Sequence, residues 1–366
     1  MKKKKVLITG LKFACTNYFS SHKNALKKDF EVRIIPVEEI LKNYKRVANP
    51  ILIFSYVLKF IFYLNTNKIN IVITAGPQIG FINVISCLVN RSESWHWFTG
   101  LIWSNKKFSF LKLTYWIDIF ILIFSKRVFA DSYWQKNIIQ EKMIFGRKLN
   151  KKISVPRNSS ITAVEDRIYQ IKEKKLYYHN KKENFLKIGY LGRLTLEKGI
   201  NVIPKISSYF KKSTNNQIEF IICGPFDSSI GNFKTSLESE KIQIEKLGLD
   251  SKLVEIRAFH YPKIDFFEEI DILILPSKRE GFGIVAIEAH AAGIPVISSS
   301  IGPLKESVIA FNNGLHCENL KDYINAIELL IDKNTYKLFH QNAIVSSEKY
   351  KKENFFSDLK DVYYWE

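Results

Sequence analysis

PSKREGFGIVAIEAHAAGIPVISSS, residues 276–300, reads in order as the end of a strand, a glycine-bearing loop, a helix and the next strand. Gly281 and Gly283 carry no Cβ, so the loop backbone can come close to a ligand, and the helix that follows is expected to turn its unpaired N–H groups toward phosphate. Glu280 stands in the loop and Glu288 inside the helix, seven residues apart. From these positions one carboxylate can reach a sugar at the helix mouth while the other accepts hydrogen bonds from a diol such as ribose. Phe282 and Ile284, which flank Gly283, complete the candidate binding loop.

Outward from this stretch the same rhythm recurs. LKIGYLGR (186–193), IEFIICGP (218–225), LVEIRAF (253–259) and IDILILPS (270–277) are apolar runs that end in Gly, Pro or polar residues, with helical-length segments between them. KVLIT (5–9) followed by Gly10, EVRIIP (31–36) and INIVITAGP (69–77) repeat the pattern in the first half. Strands alternating with helices predict parallel sheets covered on both faces, with ligands collecting beyond the strands' C-terminal ends. The polar run IKEKKLYYHNKKEN, 171–184, separates the two series as a linker. The expected fold is α/β, with two Rossmann-like domains at residues 1–175 and 184–349 facing an inter-domain cleft.

A chain of 366 residues has room for two cores of ordinary size. Its net charge of +19 is uneven: residues 1–186 hold 33 Lys and Arg against 12 Asp and Glu, giving +21, which leaves −2 for residues 187–366. Such asymmetry points the first half at an anionic partner, a membrane face or nucleic acid, unless it reflects lysine-rich codon usage alone. No nucleic-acid module or regular basic and aromatic register is present, which argues against nucleic acid. ILIFSYVLKFIFYL (51–64) and LTYWIDIFILIF (113–124) are too short, and too interrupted by Lys59 and Asp118, to span a bilayer. They read as core helices or as helices lying at a membrane interface. The opening MKKKKVLITG is cut by Gly10 and Lys12 before it reaches signal-peptide length, and the four cysteines are scattered. A cytoplasmic location, peripheral on the inner face of the membrane, is therefore expected.

The Glu, seven residues, Glu pattern within EGFG…EA…GIPV resembles the signature of retaining glycosyltransferase family 4. That resemblance implies a GT-B fold, contact of Glu280 with the transferred sugar, and binding of the ribose hydroxyls by Glu288. LGRLTLEKGI, 191–200, matches a second family segment and assigns Arg193 and Lys198 to the donor's diphosphate. Fixed cations there stabilise the negative charge that develops on the leaving group. CGP at 223–225 corresponds to a strand-end turn and marks Gly224. The resemblance also implies that FFSDLKDVYYWE, 355–366, forms a helix returning to the first domain, and that the products of such enzymes are bacterial surface polysaccharides and lipopolysaccharides.

The first half departs from that family. Gly10 stands alone where many members pair glycines, and SWHWFTGLIW (94–103) holds one histidine, His96, while the strand end falls nearer Thr99. His96 has two readings, a residue beside the reacting sugar or a packed core residue. Gly10 and Thr99 are the binding candidates at the strand ends. No metal-ligand spacing occurs, and no metal or other cofactor is expected. The expected reaction moves a sugar, with retention, from a nucleoside diphosphate donor, a uridine one, to a glycan or polyprenyl-diphosphate-linked acceptor. A sugar-nucleotide epimerase on the same scaffold and a binding protein without turnover are the alternatives.

Overall fold

The computed structural model describes residues 3–42, 44–45, 49–104, 112–173, 185–213, 217–225, 249, 254–257 and 263–364. The chain divides into two compact units, Met1–Ala163 with Lys352–Glu366, and Val164–Lys351.

In the first unit β1 (Lys4–Thr9), β2 (Phe30–Ile34), β3 (Ile71–Ala75), β4 (Glu93–Phe98), β5 (Arg127–Ala130) and β6 (Ile153–Ser154) form one sheet, ordered β2-β1-β3-β4-β5-β6. Every pairing in it is parallel. The helices of this stretch are α1 (Lys12–Asn17), α2 (His22–Leu26), α3 (Val37–Ile40), α4 (Pro50–Asn67), α5 (Pro77–Asn90), α6 (Leu113–Phe124) and α7 (Tyr133–Lys142). Central β3 is buried along its whole length, as an apolar strand covered on both faces must be, whereas edge strand β2 is only partly buried. Asn49 caps α4 by accepting from the backbone N–H of Ile51, and Pro50 occupies the first helical position, where no N–H is needed.

The second unit holds α8 (Asp166–Tyr169), β7 (Phe185–Leu191), α9 (Ile203–Ser213), β8 (Gln217–Cys223), β9 (Glu255–Arg257), α10 (Lys263–Glu269), β10 (Ile272–Leu275), α11 (Ile284–Ala291), β11 (Val296–Ser299), α12 (Leu304–Ser307), β12 (Gly314–Cys317), α13 (Leu320–Ile331) and α14 (Lys333–Ser347). Its parallel sheet runs β12-β11-β10-β7-β8-β9. The chain travels outward from β7 through β8 to β9, then returns to β10 on the other side of β7. The strand order thus reverses between β7 and β10, the place in an open α/β sheet beyond whose C-terminal strand ends ligands collect.

Val164, Ile168, Tyr169 and Ile171 bury themselves in the second unit's core. The Val164 N–H donates to the Tyr350 carbonyl at 3.0 Å and the Tyr169 hydroxyl to the Ser347 carbonyl at 2.8 Å. The dividing point therefore falls before the polar run read as a linker, whose residues 174–184 lie outside the described residues. The last helix, α15 (Lys352–Tyr364), belongs to the first unit. There the Tyr363 hydroxyl meets His22 Nδ1 at 2.6 Å and accepts from Trp97 Nε1 at 3.1 Å, while Arg127 donates to the Tyr363 carbonyl at 2.6 Å.

Candidate functional site

In the second unit the loops that follow β7 and β10 lock onto each other. After β7, the Gly192 N–H donates to the Cys223 carbonyl at 3.0 Å and the Leu194 N–H to the Pro225 carbonyl at 2.9 Å. A Cβ on Gly224, whose φ is +156°, would lie 1.8 Å from the Gly192 oxygen. Gly224 is thus required by the close passage of two backbones. Thr195 then caps a single helical turn, accepting from the Lys198 N–H at 3.3 Å, and Gly199 ends that turn in the left-handed region at φ +72°. A side chain at Gly199 would collide with the Pro276 carbonyl, 1.9 Å away.

That approach brings the loop after β7 against the loop after β10. The Lys278 N–H donates to the Glu197 carbonyl at 2.9 Å, and Arg279 Nε donates to the Glu197 carboxylate. The Arg279 hydrogen bond and charge hold the Glu197 carboxyl below its ordinary range against the opposing effect of burial. One residue further along each loop, Lys198 Nζ donates to Glu280 Oε1 at 2.6 Å, and Ser277 Oγ donates to the same oxygen at 2.8 Å. The Ser299 hydroxyl in turn donates to the Ser277 carbonyl. Lys198 and Glu280, 82 positions apart, thus meet directly. Arg193 is exposed at the start of the first loop, its carbonyl accepting from the Tyr190 hydroxyl at 2.6 Å.

Gly281, Phe282 and Gly283 lead into α11, whose N-terminus has no side-chain cap. Gly283 sits at φ +92°, and a Cβ there would lie 2.5 Å from Leu304 Cδ2. The helix therefore packs tightly on α12 through this glycine. Phe282 is buried against Tyr350 at 5.9 Å between ring centroids. Its side chain belongs to the core, and its backbone belongs to the loop. Ile284, half-buried, is the first residue of α11.

Glu288 lies on α11, buried, with Oε1 receiving Lys263 Nζ at 2.7 Å and Oε2 lacking any hydrogen-bond partner. Lys263, the first residue of α10, is a member of the site that sequence reasoning missed. The Glu288 charge raises its pKa, burial opposes that, and the hydrogen bond adds to the rise. Among the described residues no group of three or more His, Cys, Asp and Glu is arranged to hold a metal ion.

In the first unit Gly10 and Thr99 follow the C-terminal ends of β1 and β4, on either side of β3, and the Gly10 carbonyl accepts from the Val37 N–H at 2.8 Å. His96 is buried on β4 with Nδ1 3.0 Å from Thr74 Oγ1, and burial lowers its pKa to about 3. A Cβ on Gly80 would lie 2.4 Å from its ring. Of its two readings, the packed core residue is the one these contacts describe.

Residues 171–345 match the family described as "Glycosyl transferases group 1". The chain carries a group 1 glycosyl transferase domain. Around this glycosyl transferase domain, similarity extends along the chain. It is 24% identical over 359 residues to the capsular polysaccharide biosynthesis glycosyltransferase CapM of Staphylococcus aureus, covering 92% of this chain and 90% of that one. It is 28% identical over 240 residues to an uncharacterized 42.6 kDa protein in the cps region of Klebsiella pneumoniae, covering 62% of this chain and 58% of that relative's own length. Another curated relative is matched over only 30% of its length. In fold, the chain is similar to Anabaena HepE solved in complex with UDP and glucose, with a TM-score of 0.73 at 16% identity over 99% of this chain and 100% of that one. The chain is thus α/β, with two parallel six-stranded sheets and a fold of GT-B type.

Proposed function

We propose that the chain moves a sugar from a nucleoside diphosphate donor, a uridine one, to a glycan or lipid-linked oligosaccharide in surface polysaccharide synthesis, with retention of the anomeric configuration. The observation that carries this reading is the contact of Lys198 Nζ with Glu280 Oε1 at 2.6 Å, at the point where strand order reverses, with a buried carboxylate, Glu288, on the helix that follows. A bound diphosphate would take over Lys198 and draw on Arg193 and the uncapped N-terminus of α11. Glu280 would then be freed toward the sugar, and Glu288 Oε2, which lacks a partner, would accept from a ribose hydroxyl.

In the reaction the bond from the anomeric carbon to the diphosphate breaks as the acceptor hydroxyl attacks the same face of the sugar. The departing oxygen takes the bonding electrons and then the acceptor's proton, so no side-chain nucleophile is required. Lys198 and Arg193 stabilise the charge that gathers on that oxygen. The uridine donor is supported by HepE having been solved with UDP, and the polysaccharide role by CapM's description.

A thermal-shift screen against nucleoside diphosphates and their sugar conjugates tests the donor, because a ligand of the folded state alone raises the melting temperature. The expected result is a rise with UDP and UDP-sugars, and no rise with any of them would overturn the reading. Assay of turnover with and without a glycan acceptor separates transfer from epimerisation, since an epimerase yields an altered sugar with no acceptor present.

A further inference from the structure

Right-handed crossovers from β2 to β3, β3 to β4 and β4 to β5, all stepping in one direction across the first sheet, place α4, α5 and α6 on one of its faces. The three helices pack side by side, with α5 in the middle. Inward, α4 buries Tyr56, Val57, Phe60 and Leu64. Outward it presents Ile51, Phe54, Leu58 and Phe62, exposed by 79%, 63%, 51% and 73%. Their spacing of three, four and four residues forms one stripe roughly 16 Å long. Exposed Leu88 and Val89 of α5 and Trp116 and Phe124 of α6 extend the apolar surface of the same helical layer.

Charge on this layer is of one sign. The three helices together contain a single carboxylate, Asp118, which is buried and accepts from Trp103 Nε1 at 2.9 Å. The exposed ions are cations: Lys59 beside the stripe, with Lys68, Arg91, Lys112 and Lys126 at the helix ends. Glu39, beside Tyr63, and Glu93, beside Leu88 and Phe124 and paired with Lys4, are carboxylates of neighbouring elements at the margin of the layer, and the cations outnumber them. An apolar stripe with an excess of cations around it is complementary to the boundary between anionic headgroups and acyl chains. A second copy of the chain is a poor occupant, because a two-fold contact would set a surface with excess positive charge against itself. No helix among the described residues is long and apolar enough to cross a membrane.

We propose that the outward face of α4, with the adjoining surfaces of α5 and α6, docks the chain on an anionic lipid bilayer, α4 lying in the plane of the surface. This goes beyond the donor reading and does not rest on it.

The test is co-sedimentation of the full chain with vesicles of phosphatidylcholine, with and without phosphatidylglycerol. The expected result is binding to the anionic vesicles that weakens as salt rises. The triple variant F54S/L58S/F62S should bind about tenfold less, or weaker still. Its melting temperature and its response to UDP should stay unchanged, so this result and the donor screen are read separately. The double variant K59E/K68E, which leaves every apolar residue in place, should lose about fivefold or more on anionic vesicles alone. Four outcomes would overturn the proposal: no binding to either vesicle, equal binding to both, a triple variant that binds like the parent, or a lipid-free dimer that the triple variant dissociates.

Discussion

An ammonium 2.6 Å from a carboxylate can serve a diphosphate only by exchanging partners, so Lys198 contributes most when charge accumulates on the leaving group. Lys198→Ala should therefore lower kcat by about 10²- to 10³-fold with an unchanged melting curve. Turnover close to that of the parent, in a folded variant, would refute the diphosphate assignment. In the proposed reading Glu288→Ala removes the acceptor offered to the ribose, and the Kd for UDP measured by calorimetry should rise about tenfold or more. Because the stabilising charges in this reading are side-chain cations, turnover should persist after EDTA treatment, and loss restored by a divalent ion would contradict it. Glu280, Glu288, Arg193 and Lys198 could be picked out in the sequence because each lies in a short motif. Lys263 and the Glu197–Arg279 pair could not, since their partners are 25 and 82 positions away and only the folded sheet brings them together.

Between the residue and the fold stands the junction of the two loops, which Gly199 makes possible. Gly199→Ala would press a methyl group against the Pro276 carbonyl at a backbone angle that L side chains avoid. The expected result is about 1–3 kcal/mol of lost stability together with weaker UDP binding, since the loops carrying Lys198 and Glu280 would part. Unchanged melting and binding would show that the loops tolerate the displacement. Long strands such as β7 and β8 were visible in the sequence as apolar runs ending at glycine or proline. Arg127–Ala130, Ile153–Ser154 and Gly314–Cys317 were not, because their few apolar residues do not stand in a run like the one at 270–277 that ends at proline, and they take their strand form from neighbours. The apolar runs at 51–64 and 113–124 were legible as helices, but which residues faced outward depended on where α5 packs.

For the whole molecule, buried imidazoles set the acid limb of stability. Burial lowers the pKa of His22 to about 4 and those of His96 and His290 to about 3, below the ordinary 6.5. As pH falls through 6.5 the unfolded chain takes up three protons that the native chain refuses, so stability declines toward pH 4. Asp118 acts in the opposite sense: burial raises its pKa to about 7 from 3.8, so the native chain holds one proton that the unfolded chain lacks in that window. The net excess of two protons from these four groups, to which His316 and His340, also lowered by burial, add in the same sense, predicts a loss of about 3 kcal/mol per pH unit or more between roughly pH 6 and 4.5, measurable by urea denaturation. A flat profile there would mean that these histidines are not neutral in the native state. The two-sheet plan was readable from recurring strand and helix signals, but the extent of each unit was not, because Ile168 and Ile171 join the second core through contacts distant in sequence. The junction at Tyr363 also bears on biosynthesis. His22 and Trp97 leave the ribosome early, yet their aromatic partner emerges 341 and 266 residues later, a delay of about 13 to 70 s. Throughout that interval the nascent first unit must persist with an unfinished seam, and a message truncated before the Tyr363 codon would yield a chain whose opening half never seals.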